Sequence, residues 1–108
     1  MDAQDFAAAC REERDTLFAS FADVSGGSAV AAHVAAANLT QSQRKQVFAA
    51  IDAALTDTFY TLLLALDGSA ALAGKQHSFV LTDETGNTIA NGDGRLEAAA
   101  WAAFHLDS

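Results

Sequence analysis

The feature that most constrains this chain is an unbroken helical period from residue 41 to residue 67. Val47, Phe48, Ile51, Leu55, Phe59, Leu62 and Leu66 recur at three- and four-residue steps, the spacing that places side chains on one face of an α-helix. Thr40 with Gln43 three residues later is a capping-box pattern at its start, and Gly68 supplies its stop. The chain contains no proline, so nothing interrupts such a helix. Leu63 and Leu64 fall outside the stripe, which makes the last two turns apolar nearly all round. Other segments have to cover them, or a second subunit does so in a homodimer with Leu63 and Leu64 at its interface.

The remaining segments read as shorter elements around this helix. Phe6, Cys10, Leu17, Phe18, Phe21 and Val24 share a stripe, predicting an amphipathic helix over residues 3–23 capped by Asp2 or Asp5. Arg14 lies in that stripe, which fits a buried ion pair, but the more ordinary arrangement for arginine there is a stem along the core with a wet head. Ser25-Gly26-Gly27 breaks the pattern, and Ser28 opens an alanine-rich stretch that reads as a short helix over residues 29–37. A mobile loop is the other reading of residues 25–39. Residues 68–77 have no strong period and read as a loop. Ser78 to Thr82 and Thr88 to Asn91 flank a turn around Gly86, giving a β-hairpin over residues 78–91 packed on the helices through Phe79, Leu81 and Ile89. Asn91-Gly92-Asp93-Gly94 then caps a last helix over residues 95–106, with Trp101 at the edge of its apolar stripe, where it can bury its ring while the indole nitrogen reaches a polar partner.

The expected fold is therefore α+β and mainly helical, a single domain over residues 1–108. Its long central helix is packed by the first and last helices and by one hairpin. The chain is too short for two independent cores. Alanine supplies 26 of the 108 residues, so the core rests on few large side chains.

Charge bounds the partners. Fourteen acidic residues against six basic ones leave a net charge of −8, which repels phosphate backbones and anionic membrane surfaces and suits a basic protein partner. The acids are scattered, which argues against a nucleic-acid mimic. Neither nucleic acid nor a membrane is an expected partner. The longest strongly apolar run, residues 59–66, is too short to span a bilayer. The first residues lack the basic and apolar stretches of a secretory signal, and the single Cys10 has no internal disulfide partner. A cytoplasmic location is the expectation.

The chemistry-bearing residues form no convergent motif. His33, His77 and His105 lie on three different elements without metal-ligand spacing. Asp83, Glu84, Asn87, Asn91 and Asp93 collect oxygens around a glycine turn, but lack the order of a calcium loop and are explained as turn formers. The glycines do not make a phosphate loop. No metal site and no cofactor is expected.

The succession Leu62-Leu63-Leu64-Ala65-Leu66-Asp67-Gly68, a glycine-bracketed loop, the strand into Asp83-Glu84-Thr85-Gly86-Asn87, and the ending Leu96-Glu97 to Phe104-His105 resembles small uncharacterised bacterial proteins. Some of these are similar to the immunity proteins encoded beside secreted toxins. That resemblance, which covers the last 45 or so residues, implies a non-enzymatic cytoplasmic protein that neutralises a partner by binding it. The acidic charge suits a basic toxin surface. The functional expectation is a protein-binding domain. Its surface would lie on the 68–77 loop and the acidic hairpin end, with Asp67, Lys75, His77, Asp83, Glu84, Asp93 and His105 as candidate binding residues. A small-molecule or metal-binding module near the hairpin is the alternative, requiring His77 and His105 to meet beside a carboxylate. A small enzyme of unknown class comes third and requires an unexplained polar residue in a concave pocket.

Overall fold

The computed structural model describes residues 1–106. The order is α1 (Ala3–Phe21), a short 3-10 turn (Val24–Gly26), α2 (Ala29–Ala36), α3 (Gln41–Leu66), β1 (Leu81–Thr82), β2 (Thr88–Ala90) and α4 (Arg95–His105). The fold is α+β, with the long α3 packed against the N- and C-terminal helices and a two-stranded antiparallel hairpin.

Each helix begins where its sequence supplies an acceptor for free backbone N–H groups. Asp2 and Asp5 form a reciprocal capping box on α1, and Thr40 and Gln43 form one on α3, satisfying donors that have no partner within the helix. Ser28 caps α2, so residues 29–36 are helical. Asn38 follows in the left-handed region at φ +53°. The first helix stops two residues before the expected boundary, because the Asp23 carboxylate accepts from the Ser25 backbone and starts the 3-10 turn.

The helix directions follow from their contacts. Phe18 meets Phe48 edge to face at 6.0 Å and Arg14 reaches Asp52, so α1 runs antiparallel to α3. Phe59 stacks on Phe104 at 6.2 Å and Asp67 bonds the backbone of Glu97, so α4 is antiparallel to α3 and parallel to α1. This makes a three-helix bundle at one end only, because α4 is 11 residues long against 26 in α3. The core joins Ala3 and Ala7 of α1, Leu63 of α3, Ile89 and Ala90 of β2, and Leu96, Ala100 and Phe104 of α4.

Several expectations are corrected. Leu63, expected on a subunit interface, is only 3% exposed and lies in this core, and Leu64 is half-buried. Other elements of the same chain cover Leu63. The strands are shorter than expected, with a register irregularity between Leu81 and Thr82. Phe79 and Val80 precede β1, and Val80 points into solvent. Arg14 does not keep its head wet. Its guanidinium is buried and bonds the backbone carbonyl of Asp52 at 3.0 Å, the Asp52 carboxylate, and Asp15 at 2.7 Å. The end of α3 is in the core, but the rest is open.

That openness also bears on membranes. The most apolar 18 residues of α3 have a mean hydropathy of 1.5 and are 6% buried, so the whole helix is long and apolar enough to cross a bilayer where the 59–66 run alone is not. Asp52 and Asp57 lie within it, and each carboxylate costs about 3 kcal/mol at a bilayer centre. Asp52 is also tied to α1 through Arg14.

The cap on α4 comes from an unexpected place. Gly94 occupies the N-cap position at φ +89° and has no side chain to accept. Asp67, the residue that ends α3, does so instead. Its carboxylate, 3% exposed, accepts from Glu97 N at 2.9 Å and Gly92 N at 3.2 Å. Replacing it would leave both donors without that partner. Asp67→Ala is expected to destabilise the fold by about 1–3 kcal/mol, read as a lower urea midpoint at unchanged m. Asp67→Asn retains an acceptor and is expected to lose less.

Candidate functional site

A groove of about 840 Å³ lies between α1, β2 and α4. Its walls are set by alanine spacing. Ala8 on α1 faces Ala98, Ala99 and Ala102 on α4, with Ile89 of β2 across one end. Small side chains keep the helix surfaces low, so an apolar channel remains open between them. Asp2 and Asp93 supply its carboxylates, and the one cation lining it, Arg95, is already paired with Asp93 at 3.1 Å. The groove is therefore apolar along its floor and carries acidic groups at its margin.

The two ends of α4 are held by side chains from other helices. Asp67 serves the N-terminal end as described. At the other, Arg11 donates to the carbonyl of Ala103 at 3.0 Å while its Nε contacts the Asp15 carboxylate. A carboxylate at the helix start and a guanidinium at its finish both complement the macrodipole. The groove is thus built on a helix fixed at both ends.

The candidate binding residues are distributed as follows. Asp67 is buried in the α4 cap, so it is a structural acceptor rather than an exposed contact. Asp93 lies on the groove beside Arg95. Lys75 ends a two-residue turn in which it and Leu72 exchange backbone bonds of 2.7 and 3.1 Å. That turn places Ala73 at φ +54° and Gly74 at φ +79°. His77 is exposed beside Phe79, with ring centroids 5.6 Å apart. Glu84 is exposed on the turn between the strands. His105 is exposed on the last turn of α4 and lies 4.5 Å from the Tyr60 ring and 4.8 Å from Trp101.

Asp83 organises the hairpin turn. Its carboxylate accepts from the backbones of Thr85 and Asn87, both at 2.9 Å, from the Thr85 hydroxyl at 2.8 Å, and from the Met1 ammonium at 2.7 Å. The ammonium bond first, then those of Thr85, hold this carboxyl well below the usual carboxylate range. Burial pushes the Cys10 thiol up, which disfavours its nucleophilic thiolate form.

These placements correct the geometry required for a metal centre near the hairpin. His77 belongs to the segment around Gly68, its carbonyl beside that glycine, which follows the Asp67 that caps α4. His105 is at the far end of α4, about 15 Å along the axis. Among the described residues no three His, Cys, Asp or Glu side chains converge on a metal position. Two features escaped sequence reading, the alanine groove and the Tyr60–Trp101–His105 cluster, and the buried ion pair that was the less favoured reading of Arg14 has an unforeseen partner in Asp52. Trp101 is 51% exposed rather than buried by its ring. Comparison with protein-family models, curated proteins and solved structures finds no match to this chain.

Two outcomes follow. A depressed carboxyl stabilises the fold at pH values above its unfolded pKa of about 3.9, and that contribution is lost as the pH falls toward the folded value. The difference in urea midpoint between the wild type and Asp83→Asn is therefore expected to shrink as the pH is lowered below about 4, with the wild type more stable at neutral pH. Ala73→Asn should raise stability by about 0.5–1 kcal/mol, because asparagine tolerates the left-handed region better than alanine and Asn-Gly is the preferred pair for such a turn. Thermal unfolding reads this directly.

Proposed function

We propose that this chain is a non-enzymatic protein-binding domain, cytoplasmic and of bacterial type, that neutralises a basic protein partner in the manner of an immunity protein. The observation that carries this reading is the α1–β2–α4 groove, an apolar channel with acidic margins on a chain of net charge −8. An apolar floor supplies contact area, and the surrounding negative field draws a basic surface toward it and raises the association rate. The polar side chains nearest the site already have structural work: Asp67 caps α4, Asp93 holds Arg95 and Arg11 closes the α4 end. This supports a role in recognition over one in bond chemistry.

Ala102 is exposed on α4 within the groove, so a large cation there changes the site without disturbing the core. Ala102→Arg is expected to weaken partner binding by at least about tenfold, through filled space and like charge. The circular dichroism spectrum and melting temperature should stay near wild type. The test is affinity capture of basic proteins from the native host followed by calorimetry on the captured partner. Association of the wild type should slow as salt is raised. A captured partner whose affinity ignores both Ala102→Arg and salt would refute the reading.

A further inference from the structure

The longest helix of this protein carries a long apolar stretch that is largely uncovered. Ala50, Ala53, Ala54, Thr58, Thr61 and Leu62 are all exposed on α3, and its most apolar window is 6% buried. The whole molecule records the same deficit. Its accessible surface is 6805 Å², whereas a compact monomer of this mass exposes roughly 5,700 Å². Its radius of gyration is 16.3 Å, against about 13 Å for a compact chain of this length. The excess surface, roughly 1,100 Å², is comparable to the roughly 800 Å² that each partner contributes to a standard interface.

Charge identifies the occupant. Within α3, Arg44 and Lys45 balance Asp52 and Asp57, so the helix is neutral and the entire net charge of −8 lies on the other elements. Two copies of so acidic a protein repel each other, and pairing through α3 adds no net charge of its own to that repulsion. We infer that the exposed face of α3 is a self-association surface, on which the helix pairs antiparallel with α3 of a second copy of the chain.

A two-fold axis crossing α3 near its middle makes the contact self-complementary. Ala50 then stands opposite Ala54 of the second copy, and these small residues allow close approach of the helices. Because α4 flanks only the C-terminal half of α3, the uncovered half of one copy lies beside α4 of its neighbour, where Trp101 is half-exposed. The α1–β2–α4 groove stays outside this contact, so the inference stands or falls independently of the proposed partner.

The test is multi-angle light scattering on the full chain across a concentration series, with no partner or lipid present. The wild type is expected to reach twice the chain mass of 11.2 kDa. Ala54→Glu, at an exposed helical position, should weaken the dimer on the order of tenfold or more with unchanged helicity. Ala50→Glu, on the same face, should weaken it likewise. A wild type that remains monomeric at all concentrations overturns the inference, as does a dimer indifferent to Ala54→Glu. Binding of the monomer to neutral phosphatidylcholine vesicles, abolished by Ala54→Glu, would assign the face to a membrane instead.

Discussion

The architecture depends on one buried carboxylate. Asp67 sits at the point where the long helix ends, and its two oxygens accept backbone donors from Gly92 and Glu97. A buried carboxylate is tolerated only where such donors compensate its lost hydration. Here the donors belong to the turn before α4 and to its first helical turn. The interaction therefore fixes α4 against the end of α3 across about 30 residues of intervening loop and hairpin. Ser69 adds a second tie, its hydroxyl bonding the Glu97 carboxylate at 2.8 Å. With α4 held there, Leu96 becomes fully buried, Phe104 stacks on Phe59, and Arg11 reaches the last carbonyls of the helix.

Small side chains decide the shape of what is built on that anchor. Alanine lets α1, α4 and β2 approach closely in the core and leaves the open groove on their outer side. It also contributes little burial per residue, so the chain closes a full bundle only where Leu63, Leu96, Phe59 and Phe104 meet. Beyond that end, α1 and α3 continue as a pair with α2 alongside, held by Phe18 on Phe48 and by Arg14 on Asp52. Charge is divided along the same line. The acidic groups gather on α1, the hairpin and the start of α4, while α3 is neutral overall. The proposed basic partner would meet the first surface and the proposed second copy the other.

Elements with local signals were legible in the sequence. The capping boxes, the three- and four-residue apolar steps and Gly68 located α1, α3 and α4 to within two residues at their ends, and Ser28 located α2. Elements that depend on distant residues were not legible. Gly94 looked like part of a self-contained cap, yet the acceptor is Asp67, which no local pattern connects to Glu97. Arg14 looked like a snorkelling side chain because its partner on α3 is 38 positions away. Leu63 looked available for a partner because a helical wheel cannot show that α4 and β2 fold back over it. The groove was hidden for a related reason: alanine spacing on α1 and α4 reads as helix propensity until the two helices are set side by side.

The central claim is that this chain is closed at the Asp67 end and open along the rest of α3. Native-state hydrogen exchange on dilute protein tests it most directly, because amides in the cooperative core exchange only through global unfolding while open regions exchange through local fluctuation. The account predicts the slowest exchange for the amides of Ala99 to Phe104, Ala65 and Leu66, with residues 45–52 of α3 and all of α2 exchanging markedly faster. Equal protection along the whole of α3, or α4 exchanging ahead of residues 45–52, would contradict it.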